Sequence, residues 1–149
     1  EEQGLRGSRA QATARAERGD DVVAMLQQDM IAVKVDGDDF GLAFVTSPSA
    51  SDPVLTETAA MIMRTYADRE LILHPAVLSG SSCCSDHQSY TEAGYPSVGT
   101  LEPRGYTGDP MYHKAGDLVE RADYSTKQLA MVGQAVLSVA ASLADMIQV

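Results

Sequence analysis

The spacing of apolar residues changes along the chain, and each change marks a different kind of element. The last block is the best specified. Leu129, Val132, Val136, Val139, Leu143 and Met146 recur every three or four residues, which predicts a long helix with one buried stripe. Ser125 followed by Gln128 predicts a capping box at its start. A second helix is predicted after Asp52, an N-cap, with Pro53 at its first position and Leu55, Ala59, Ile62 and Tyr66 as its buried stripe. Near the start, Ser8 is the expected cap of an exposed helix, Arg9 to Arg18, that ends at Gly19.

Between the helices the apolar residues run together instead of recurring. Val22 to Leu26 is unbroken, as in a strand covered on both faces of a parallel sheet. Phe40 to Val45, Leu71 to Leu73 and Val98 to Leu101 read as further strands, and a short helix stopped by Gly94 precedes the last of these. The alternation of strands and helices predicts an α/β fold, one mixed, largely parallel sheet with helices on both faces. Asp29 then falls just past the carboxyl end of a strand, where open α/β sheets place their ligands. Asp36-Gly37-Asp38-Asp39 is a turn; it is too short for a calcium loop and lacks the distal Glu. Thr107 to Asp117 reads as a long surface loop.

With 149 residues the chain makes one domain. Its formal net charge of -10 argues against binding to a phosphate backbone, and the absence of Trp argues against a stacking platform for single strands. No apolar run approaches the roughly 20 residues of a membrane helix, and no signal peptide opens the chain. The first residue is Glu, so the expectation is a processed, excised or incomplete polypeptide. The two cysteines, Cys83 and Cys84, are adjacent, which is neither a metal spacing nor a disulfide framework. Free thiols, a strained vicinal bridge and a bond to another segment all remain open.

Several stretches share an order. They are Glu1-Glu2-Gln3-Gly4-Leu5-Arg6-Gly7-Ser8, then Leu26-Gln27-Gln28-Asp29-Met30, then Cys84-Ser85-Asp86-His87 with Ala93-Gly94-Tyr95-Pro96, then Leu101-Glu102-Pro103 and Tyr112-His113. In this order the chain resembles the zinc-dependent aminopeptidases of the M28 family, especially their secreted fungal and bacterial members. The resemblance implies a zinc-peptidase-like fold, two zinc ions, a peptide substrate and an extracellular location. It implies Glu1 as the base that takes a proton from metal-bound water, with Glu2, Asp29 and His113 as zinc ligands. Met30 and Tyr112 would lie near the substrate pocket. Residues 1–149 would then form the C-terminal half of a catalytic domain, lacking the family's leading His and bridging Asp, and inactive alone.

Two departures accompany the match. Where many secreted members have a cysteine this chain has Gly80, and where they have the tyrosine that helps hold the substrate carbonyl it has Ser82. The family disulfide and that contact are therefore not expected. Outside the resemblance, the Glu1-Glu2 pair would be solvated charge, Asp29 a cap and His113 a surface residue. His74 and His87 are read as structural, with Asp86 capping the short helix that His87 enters. A Ser85-Asp86-His87 triad is excluded, because three consecutive residues cannot converge in triad geometry. A rival function is a catalytically inactive subunit that self-associates or pairs with a partner, such as the family's N-terminal segment.

Overall fold

The computed structural model describes residues 4–47, 49–78 and 85–145. Nine elements follow one another: α1 (Arg6–Arg18), β1 (Met25–Gln28), β2 (Gly41–Val45), α2 (Pro53–Tyr66), β3 (Ile72–Leu78), α3 (His87–Glu92), β4 (Ser97–Leu101), α4 (Gly105–Gly108) and α5 (Thr126–Asp145). The four strands form one sheet in the order β1-β4-β2-β3. β1 runs parallel to β4 and β2 parallel to β3, while β2 meets β4 antiparallel. The carboxyl ends of β1 and β4 therefore share an edge with the beginnings of β2 and β3. This is the expected mixed α/β sheet.

Strand residues alternate between faces, and the two faces are covered differently. Leu42, Phe44 and Val98 point into the main core with Leu55, Ala59 and Met63 of α2 and with Met131, Val132, Ala135, Val139 and Leu143 of α5. On the opposite face, Val45 and Leu101 form a small cluster with Ala50, and α3 packs against β4 and β1 with α1 behind it. Gly99 belongs to that second face. A Cβ there would stand 2.5 Å from Cε1 of His87, so only glycine lets the imidazole lie against the strand.

The helix boundaries hold better than the details of their ends. Asp52 caps α2, its Oδ1 accepting the Leu55 N–H at 2.7 Å. Its stripe is Leu55, Ala59, Ala60 and Met63; Ile62 is half-buried against the same core and Tyr66 is exposed. Ser8 is not a cap. It lies inside α1, which starts after Leu5 in the left-handed region, and its hydroxyl bonds the Leu5 carbonyl and the Ser89 hydroxyl of α3. Asp86 precedes α3 without a capping bond from its side chain. Ser125 does cap α5, accepting the Gln128 N–H at 3.1 Å.

Gln128 leaves that capping box for another partner. Its carboxamide reaches across to β2, where Oε1 accepts the Gly41 N–H at 3.1 Å and Nε2 donates to the Gly41 carbonyl. Along α5, Val132, Val139 and Leu143 are buried as expected and Val136 is half-buried, whereas Leu129 is exposed, contrary to the predicted stripe, and Met146 lies outside the described residues. By length and composition alone α5 could cross a bilayer, contrary to the expectation from the sequence. In the fold its apolar stripe is the core of the domain instead.

Candidate functional site

The strand end at Asp29 is fixed by bonds on three sides. Its N–H donates to the Thr100 carbonyl at 3.0 Å, which extends the β1–β4 ladder by one residue. Ser85 Oγ donates to Asp29 Oδ2 at 2.8 Å and itself accepts from Gln27 Nε2 at 3.0 Å. Met30 then turns the chain in the left-handed region, at φ 52°, and its carbonyl accepts the Glu102 N–H at 2.8 Å. A non-glycine residue holds such a backbone only where surrounding bonds over-determine it.

Two buried titratable groups flank this edge. His87 is 1% exposed. Burial brings its pKa down to about 4, against the opposing charges of nearby Asp29 and Asp86, so the imidazole is neutral at pH 7. Glu102, 3% exposed, has its pKa pushed up to about 8 by burial, although Oε2 accepts the Val33 N–H at 3.2 Å. It also feels the charges of Asp109, Arg121 and Asp117, which places the loop bearing His113 beside the end of β4.

That loop is organised by one cation. Arg121, its side chain 7% exposed, meets Asp109 at 2.7 Å, Asp117 at 2.8 Å and Asp123 at 2.7 Å. Asp109 in turn accepts the Met111 N–H at its carboxylate and the Tyr112 N–H at its carbonyl. The bonds to Arg121 hold the Asp109 and Asp123 carboxyls below their ordinary range and raise the guanidinium. Past Arg121, Lys34 donates to the Asp123 carbonyl and Val33 pairs with Tyr124, so the loop is strapped to the segment that follows Met30. Within it His113 is exposed, sits at φ 56°, and stacks its ring on Tyr112 at 3.8 Å between centroids.

The structure thus brings Asp29 and Met30 together at the carboxyl end of β1. It puts Tyr112 and His113 on a loop organised by Arg121, whose far end is strapped to the segment after Met30 at Asp123 and Tyr124. Glu1 and Glu2 lie outside the described residues, as do Gly80, Ser82, Cys83 and Cys84. Carboxylate and imidazole are donors that zinc accepts. Among the described residues, no three His, Cys, Asp or Glu side chains group closely enough to hold a metal, so Asp29 and His113 fit zinc in kind but do not complete a ligand set.

Sequence reasoning quoted Glu102 only as a member of a motif, weighed Ser85 otherwise only in a triad it excluded, and missed Arg121. The first two bond residues dozens of positions away, and Arg121 works through aspartates scattered over a loop with no periodicity.

A sequence model of peptidase family M28 matches residues 1–140. The chain belongs to peptidase family M28. Among curated M28 relatives, "Probable leucine aminopeptidase" of Arthroderma benhamiae is 35% identical over 126 residues, covering 83% of this chain and 31% of the relative. "Leucine aminopeptidase 1" of Phaeosphaeria nodorum is 36% identical over 124 residues, covering 80% of this chain and 30% of the relative. The chain therefore spans about a third of the length of the curated relatives it matches. Its fold is shared with LapB of Legionella pneumophila, at a TM-score of 0.82 and 20% identity over 96% of this chain and 37% of that one. BSAP, a zinc aminopeptidase from Bacillus subtilis, follows at 0.67 and 21% identity over 92% of this chain and 32% of that one.

Proposed function

We propose that the chain forms part of the catalytic domain of a secreted zinc aminopeptidase, which removes residues one at a time from the N-termini of peptides. The observation that carries this reading is the Asp29 carboxylate, one residue beyond the end of β1 and held at Oδ2 by Ser85, in a chain of peptidase family M28. The names of its relatives support the aminopeptidase class. Zinc, as two ions in the whole enzyme, would supply a Lewis acid for the peptide carbonyl and a water of lowered pKa when bound.

The residues divide the remaining work. Ser85 takes one oxygen of Asp29 and leaves Oδ1 for a ligand, fixing the carboxylate's orientation as outer partners of metal sites do. His113 is the imidazole donor, with its rotation restrained by stacking on Tyr112. In this proposal Glu2 shares an ion with His113, and Glu1 accepts the proton from water at its carboxylate. Met30 and Tyr112 border the bound residue of the peptide. The extracellular location rests on the resemblance to secreted M28 members.

Hydrolysis of leucine p-nitroanilide by the whole enzyme of which this chain is a part, with zinc measured by mass spectrometry, tests the reading; residues 1–149 alone should show no turnover. Asp29→Asn and His113→Ala should each lower zinc content and kcat/KM by roughly 10- to 100-fold or more. Zinc content and turnover unchanged in both variants would overturn it.

A further inference from the structure

Next to the strand end, but lined by none of Asp29, Met30, Tyr112 or His113, lies a cavity of about 260 Å³. Glu102, Pro103, Gly41 and His74 line it, together with Gln128 of α5. The segment from Val33 to Asp39 makes the rim together with Arg104. Pro103 and His74 both crowd Gly41, where a Cβ would collide with Pro103 and come within 2.8 Å of His74 Nε2.

Most polar groups around this cavity are already committed. The Gln128 carboxamide gives its oxygen and one of its two N–H donors to Gly41. Arg104 binds Asp38 through two bonds of 2.6 Å, which neutralises that part of the rim. Lys34 stands over the Phe40 ring, 5.0 Å from its centroid. Glu102 differs. It is 3% exposed, and among the described residues it belongs to no ion pair, since the nearby Arg121 is engaged by three aspartates. A buried carboxyl that borders a cavity and belongs to no ion pair keeps its proton until a ligand supplies the countercharge, so cation binding there releases a proton to solvent.

The geometry also selects the kind of cation. Val33 occupies Oε2, which leaves one oxygen of Glu102 for a partner. A guanidinium is best answered by both oxygens of a carboxylate, whereas an ammonium is a compact point charge satisfied by one. We infer that this cavity is a second ligand site, which takes a primary ammonium on an aliphatic stem with Glu102 as its counter-ion. Such a group could come from a free amine or from a lysine side chain of a peptide. The site stands independently of the peptidase reading.

The intact chain, labelled with nitrogen-15, can be titrated with butylamine, with Nα-acetyl-lysine amide and with uncharged Nα-acetyl-norleucine amide. The amide signals of Val33 and Gly41 report occupancy. Both ammonium probes should give saturable shifts, with the norleucine probe binding at least about 10-fold more weakly, one charged contact's worth. Tighter binding of the lysine probe assigns a peptide side chain, and equal binding assigns a free amine. Glu102→Gln, which keeps an acceptor for Val33, should abolish the response. If that variant does not fold, Val35→Trp at the rim should do the same by filling the cavity. Equal binding of the norleucine probe, a response retained in the folded variant, or no saturable shift with either amine would overturn the proposal.

Discussion

The face of the sheet under α2 and α5 and the loop from Asp109 to Asp123 are held by different forces. Thirteen buried residues make up the first core, so each contributes a share of a non-directional burial energy. The loop depends on directed bonds to Arg121, buried with Asp109, and loses them together if the guanidinium goes. A packed face degrades by degrees, while an ion cluster fails as a unit. The candidate His113 ligand sits on the second kind of structure.

Removing the cation should give the largest effect. Arg121→Met leaves the Asp109 carboxylate, 5% exposed, without its partner, which should cost roughly 3 to 5 kcal/mol in denaturant unfolding. It should also abolish the slow amide exchange of Met111 and Tyr112, whose N–H groups end on Asp109. A cost below about 1 kcal/mol with that exchange intact would erase the contrast between the two regions.

Leu143→Ala on the other side should cost roughly 2 to 5 kcal/mol, toward the lower end because Leu143 lies at the edge of its cluster at 8% exposure. Here the exchange of Met111 and Tyr112 should stay as it is. Coupled loss of the loop would show that the two regions are one cooperative unit.

The smallest effect concerns pH. Glu102 titrates at about 8 in the fold and near 4.5 unfolded, so between those values the unfolded chain has released a proton that the native chain keeps. Stability from this group is complete below pH 4.5 and declines as pH rises through 8. His87 acts oppositely: its stability is complete above 6.5 and declines as pH falls toward about 4. Glu102→Gln should remove the alkaline decline alone, a gain on the order of 2 kcal/mol between pH 6 and pH 8. An unchanged alkaline slope in urea unfolding would mean that Glu102 is not the group responsible.

The elements were legible because period and punctuation are local properties. Pro53 behind Asp52, and the three- and four-residue spacing of α5, encode a helix wherever they occur. The strand at Asp29 was read two or three residues early, since the apolar run Val22 to Leu26 does not say where pairing with Ser97 begins. The candidate site was legible only through ordered motifs. Nothing near Asp29 in sequence announces Ser85, 56 positions away, and nothing near His113 announces that an arginine holds its loop.

Gln128 has a consequence of its own. Its primary amide turns one N–H and its oxygen toward β2, as a peptide group would, and meets both backbone groups of Gly41. In effect α5 lends the sheet a single rung of a neighbouring strand. A rung fixes position along its axis in a way that greasy contact does not: sliding α5 by one turn would keep most of its apolar burial but would carry the amide about 5.4 Å away. The helix is therefore indexed to β2 like a key to one notch, and the wall of the Glu102 cavity is indexed with it.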